Sequence, residues 1–186
     1  MSINLLQHIV KNLGYPELKK VDPNTQDTVN NNKEEDKLNQ AAIPAVLIIL
    51  YKYTRGNEGA EQVLSASLTN EWLIQMLGSE TTDAIQKVAD YAGVSRQIAH
   101  ERMELTAKQA VGIIREAKPA NIQNVKDMIA AEKNNILVHL PPALHMGDLL
   151  NDTTIDDRVN KMEGPVSSFM NAIGSVFSQS EKAKED

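Results

Sequence analysis

Hydrophobic residues recur along this chain at helical spacing and hardly ever alternate with polar ones. Ile3, Leu6, Val10 and Leu13 form a stripe that predicts a first helix over Ser2–Leu13, capped by Ser2 and ended by Gly14. Pro16–Lys20 reads as one further short helical turn. Leu38–Arg55 is the most hydrophobic stretch, and Ala45–Leu50 is apolar on every side, the pattern of a helix surrounded by others. Pro44 within it is expected to mark the first turn or to kink the helix, because proline lacks the N–H that a helix interior needs. Gly56 stops it. Asn57–Leu68 and Thr69–Leu77 follow as two short helices, capped by Asn57 and Thr69, and Gly78 ends the second. Trp72, the only tryptophan, lies among Leu73, Met76 and Leu77 and reads as a core anchor.

The next stretch, Thr82–Ala117, predicts helix, tight turn, helix. Ile85, Val88, Ala89 and Ala92 make one face of Asp83–Ala92. Gly93 supplies the left-handed residue that ends a helix at low cost. Ser95 is a good N-cap, and a second helix runs from Arg96 to Ala117 with Ala99, Met103, Ala110, Ile113 and Ala117 near one face. Pro119 then breaks the pattern. Asn121–Glu132 is another helix, with Ile122, Val125, Met128 and Ile129 on one side, and Asn134–Asn135 is expected to turn the chain. Ile136–Leu150 is apolar but carries Pro141-Pro142, which predicts an extended or short helical lead and then a helix beginning near Pro142. Strand signals are weak and no fixed-period repeat is present, so the fold class is all-α.

Polar stretches divide the chain. Val21–Lys37 has no aromatic residue and is rich in Asn, Asp and Glu, so it cannot bury enough apolar surface to offset the entropy of ordering. The expected organisation is an N-terminal helix over 1–20, a disordered polar linker over 21–37 and a helical core domain over 38–150. An acidic loop over 151–163, an amphipathic helix over 164–180 and a charged tail over 181–186 complete it.

Composition narrows the functional classes. A chain of 186 residues suits one domain with appendages or two small ones. The net charge of −6 disfavours a dedicated nucleic-acid protein, whose footprint is a basic face. With no cysteine, disulfide scaffolds, thiolate metal sites and thiol catalysis are excluded. Ser2–Gly14 lacks the basic region of an export signal. The longest apolar run, Ala41–Tyr51, falls short of the ~20 residues a membrane span needs. A cytoplasmic protein is the expectation.

Two resemblances attach to particular phrases. Ile85–Met103, IQKVADYAGVSRQIAHERM, resembles the DNA-binding helix-turn-helix of the lactose-repressor family through Val88, Ala89, Tyr91, Ala92, Gly93, Val94, Ser95 and Gln97. That resemblance implies that Arg96, Gln97 and His100 face base edges or phosphates. Against it, Arg102 stands where the motif has a buried aliphatic residue, and Glu101 and Glu104 would fall on or near the DNA side. The second helix, about 34 Å long, also exceeds a usual recognition helix. The broader stretch Ala41–Ala117 resembles the YidB-like family, through AAIPAVLIILYKY, GNEGAEQVLSASL and the Gly-hydrophobic-Ser turn of the hairpin. It is poorer in glycine than that family. The resemblance implies a compact bacterial helical domain without an established activity.

Candidate chemistry is sparse. His8, His100, His139 and His145 share no ligand spacing, and Asp148, Asp152, Asp156 and Asp157 lack the alternation and central glycine of a calcium loop. Asp152-Thr153-Thr154 reads as a turn or helix cap. No Gly-rich phosphate loop or nucleophile elbow appears. No catalytic, cofactor or metal residue is therefore assigned, and the protein is expected not to be an enzyme. Val166, Phe169, Met170, Ile173, Val176 and Phe177 form an apolar stripe holding both phenylalanines, opposite a small uncharged face. A lone helix of this length is marginal in water, so it is expected to dock on its own core, a protein partner or a second copy of the chain. Membrane-surface docking ranks lower, because the polar face lacks lysine and arginine. The expected function is protein–protein interaction or self-association. DNA binding through residues 85–104 and peripheral membrane association through 166–177 are the alternatives.

Overall fold

A helix that is apolar all round has to be enclosed, and the architecture follows from enclosing one. The computed structural model describes residues 4–21, 34–65, 71–152 and 154–155. Its helices are α1 (Leu5–Leu13), α2 (Glu34–Arg55), α3 (Asn57–Ser65), α4 (Trp72–Leu77), α5 (Thr81–Ala92), α6 (Arg96–Glu116), α7 (Ile122–Leu137) and α8 (Met146–Leu149). Short 3₁₀ turns occupy Gly78–Glu80 and Pro142–Leu144. No strand occurs among the described residues, and the chain is all-α. Every residue of α2 from Leu38 to Leu50 is buried, and α1, α3, α4, α5, α6 and α7 all pack against it. Fully burying each of its leucines and isoleucines contributes about 1.5–3 kcal/mol.

The α2 helix begins at Glu34, four residues before the expected Leu38, so residues 34–37 are helix rather than linker. Glu34, Glu35 and Asp36 occupy its first turn, where their charge complements the helix dipole. The helix runs through Pro44 from well upstream, so Pro44 is not its first turn. The α1 helix starts at Leu5 and its cap is Asn4, whose Oδ1 accepts from Gln7 N (3.0 Å), rather than Ser2. Leu5, Leu6, Ile9 and Val10 enter the common core, so α1 is part of the bundle. Tyr15–Val21 is not helical. It forms a strap held by Val21 N donating to Val138 O (2.9 Å) and by the Gln40 amide.

At the other end of α2, Gly56 separates it from α3 and Gly59 lets the two helices touch. A Cβ on Gly59 would lie 2.1 Å from the carbonyl oxygen of Tyr53. Asn57 opens α3, and its Oδ1 accepts from Lys126 Nζ (2.6 Å). The predicted cap Thr69 and the end of the predicted third helix lie outside the described residues. Trp72 is fully buried, as its apolar setting implies. Asn121 caps α7, accepting from Asn124 N (3.0 Å). However, α7 continues to Leu137, so Asn134–Asn135 do not turn the chain. Ile136 and Leu137 carry its buried face a further turn and hold those asparagines in the helix. The helix expected near Pro142 is only a 3₁₀ turn, because His145 takes a left-handed conformation (φ 45°) and interrupts it before α8.

Candidate functional site

The hairpin α5–α6 forms by the local chemistry that its sequence predicts. Gly93 is left-handed (φ 72°) and its N–H donates to Ala89 O (2.9 Å). Val94 N donates to the same carbonyl (3.1 Å), which closes the helix end. Ser95 is extended and its hydroxyl oxygen accepts from Ile98 N (3.3 Å), capping α6. The first turn of α6 then presents Arg96, Gln97 and His100 to solvent. Arg96 bonds to Gln86 on α5, and Gln97 Nε2 donates to Glu101 Oε1 (3.0 Å). Two apolar side chains of α6 are also exposed: Ile98 is 48% and Leu105 38% exposed. They lie seven residues apart, so they are on one face and about 10 Å apart along the axis.

Two acidic or basic residues of the hairpin go elsewhere. Glu104 does not face outward: it is buried, and its carboxylate accepts from Trp72 N (2.6 Å) and Leu73 N (3.1 Å). It thereby caps the N-terminus of α4 from another helix, satisfying donors that α4 cannot. Arg102 is 16% exposed. Its guanidinium lies over the Tyr15 ring (4.4 Å), bonds to Asn39 Oδ1 and approaches Glu35 (3.6 Å), joining α6, α2 and the strap. Gln40 is a second buried junction. Its amide exchanges hydrogen bonds with Lys19 N (2.9 Å) and Lys19 O (3.0 Å) and donates to His139 O (2.8 Å). None of these partners is near its residue in sequence, so no local signal marks them.

The histidines remain dispersed. His8 Nδ1 lies 2.9 Å from Asn4 O, and His139 Nδ1 lies 2.7 Å from Asn135 O. His145 is exposed on its left-handed turn. Among the described residues no group of three or more His, Asp or Glu is placed to hold a metal. Asp152 is buried and fixes the chain after α8. Its Oδ1 accepts from the Thr154 hydroxyl (2.6 Å) and N–H (3.3 Å), and its Oδ2 accepts from Arg55 Nη1 (2.9 Å), with Lys52 at 3.9 Å. The Thr154 hydroxyl, with help from Lys52 and Arg55, outweighs burial and holds this carboxyl below the usual carboxylate range. Asp156, Asp157 and the stripe Val166, Phe169, Met170, Ile173, Val176 and Phe177 lie outside the described residues.

A cleft of about 240 Å³ opens between the last turns of α2 and the outer face of α7. Tyr51, Arg55, Gln123, Lys126, Asp127 and Ala130 line it. Lys126 and Arg55 bring positive charge from opposite walls. Asp127 accepts from Gln123 Nε2 (2.7 Å), and Lys133 lies over the Tyr51 ring (5.0 Å). Periodicity places α2 and α7 as helices but not side by side, so this cleft has no signature in the sequence.

No family model, curated protein or solved structure matches the chain. The site is therefore read from its own geometry. Among the described residues no helix is long and apolar enough to cross a membrane.

Proposed function

We propose that this chain is a non-catalytic interaction protein of the bacterial cytoplasm, of the YidB-like kind, that works by contact with a protein partner or with itself through the outer face of α6. One observation carries the reading: Ile98 and Leu105 stand exposed one above the other on α6, with the polar Glu101 and Lys108 three or four residues from them on the same face. An apolar centre with a polar rim is the anatomy of a protein contact. The buried acids Glu104 and Asp152 support it from the other side, since their oxygens serve as helix caps and clasps. Sedimentation velocity of the full chain across a concentration series, with Ile98→Asp and Leu105→Asp beside it, tests self-association. A concentration-dependent rise in mass that both variants abolish is expected. A rise that persists in both variants places the contact elsewhere. A chain that stays monomeric and cross-links to nothing in its host extract through position 98 overturns the reading.

A second reading rests on the exposed trio Arg96, Gln97 and His100 directly after the tight turn. A recognition helix needs such side chains in solvent. Glu101 sits in the same patch and ties up Gln97, which places negative charge where phosphates would approach. Fluorescence anisotropy with mixed-sequence duplex DNA at two salt concentrations separates the readings. Non-specific binding near 10⁻⁴–10⁻⁶ M that falls with salt and with Arg96→Glu would make DNA the partner. Membrane association through 166–177, the third expectation, rests on residues outside those described.

A further inference from the structure

We propose that the cleft between the end of α2 and α7 is a binding site for a small organic anion headed by a carboxylate or a phosphate. The chain carries a net charge of −6, yet this cleft gathers cations. Arg55 and Lys126 line it, Lys133 sits over the Tyr51 ring that forms one wall, and Lys52 lies beside Arg55 at the shared carboxylate of Asp152. Against these four stand Asp127, which is engaged by Gln123, and Asp152.

The arrangement is organised for an anion in two respects. Arg55 is held in place by one nitrogen only: Nη1 is taken by Asp152 (2.9 Å), and among the described residues Nε and Nη2 have no protein acceptor. A guanidinium fixed at one corner presents its remaining N–H groups in the planar fork that fits a carboxylate or phosphate. Lys126 is similarly tethered, to Asn57 Oδ1 (2.6 Å), and supplies a second charge from α7. The Tyr51 ring and Ala130 give the body of the ligand an apolar surface. A volume of about 240 Å³ limits that ligand to small-molecule size. This site is separate from the α6 face and does not depend on the function proposed for it.

Titration of the isotope-labelled full chain, followed by amide chemical shifts, tests the site with three probes: succinate, glycerol phosphate and the neutral isostere succinamide. Saturable shifts centred on Tyr51, Arg55, Lys126 and Ala130 with an anion, and none with succinamide, are expected. Binding by succinate alone identifies a carboxylate head, by glycerol phosphate alone a phosphate head, and by both a general anion site. Lys126→Gln, which leaves the Arg55–Asp152 clasp intact, is expected to weaken binding about tenfold, the value of one charge-assisted contact. Arg55→Lys serves as a second variant, with its melting temperature recorded to separate lost folding from lost binding. The proposal is overturned if neither anion gives saturable shifts up to about 50 mM. Undiminished affinity in a folded Lys126→Gln protein, or equal shifts with succinamide, also overturns it.

Discussion

Replacing Gly59 by alanine isolates the contact that sets α3 against α2. A helix position normally gains from this change, because alanine loses less backbone freedom than glycine, by roughly 0.5–1 kcal/mol. Here the new Cβ would fall 2.1 Å from Tyr53 O, 2.8 Å from Tyr53 C and 3.1 Å from Tyr53 Cδ1. Two of those atoms are backbone in the last turns of α2, so no rotamer change relieves the clash. The α3 helix would have to retreat by more than an ångström, pulling the fully buried Ala60 and Val63 with it. Overpacking of this kind costs about 1–3 kcal/mol, and the backbone contact puts it at the upper end. Setting the propensity gain against it leaves a net loss of about 2 kcal/mol, or a fall in Tm of about 4–8 °C for a chain of this size. Gly112 is the control. It lies inside α6 with nothing within 4 Å of its own hypothetical Cβ, so Gly112→Ala should gain about 0.5–1 kcal/mol. Thermal unfolding followed by circular dichroism reads both. A Gly59→Ala protein that melts at or above the parent temperature would refute the close approach of the two helices.

The buried polar junctions yield three more expectations. Glu104→Ala strips the cap from α4 and leaves the N–H groups of Trp72 and Leu73 unpaired in the core, a loss of about 2–3 kcal/mol measurable by urea unfolding; an unchanged midpoint would show that α4 does not depend on α6. The carboxyl of Asp152 has its folded-state pKa depressed, so its stabilisation is fully present above the unfolded value near 3.9 and is lost as pH falls through the lower folded value. The parent protein should therefore exceed Asp152→Asn in Tm at pH 6, with the gap closing below about pH 4; a constant gap across that range would contradict the clasp. Arg102→Lys keeps the charge but loses the planar guanidinium that bonds Asn39 and most of the stacking on Tyr15. Hydrogen exchange at Val21, the backbone donor of the strap, should accelerate about tenfold, the equivalent of about 1.4 kcal/mol, while α2 amides stay protected.

What was legible in the sequence was everything set by neighbours within a turn or two. The all-α class, the enclosed stretch Ala45–Leu50, the left-handed Gly93 and the Ser95 cap follow from periodicity and from short-range hydrogen bonding. Helix ends were less legible where tertiary contacts decide them. Glu34–Lys37 joined α2 although their composition is that of a linker, and Asn134–Asn135 stayed in α7 although the pair favours a turn. Only the tertiary structure decided what the polar residues do. Glu104 reaches α4, Gln40 spans the strap and the end of α7, Arg102 stacks on Tyr15, and Arg55 meets Asp152. Each pair is far apart along the chain, and at a single position a buried carboxylate or guanidinium looks like any surface charge. Apolar periodicity fixes which face turns inward, because burial is nondirectional and additive along a helix. Polar pairing is directional and depends on which helices lie side by side, and a single helix carries no record of that.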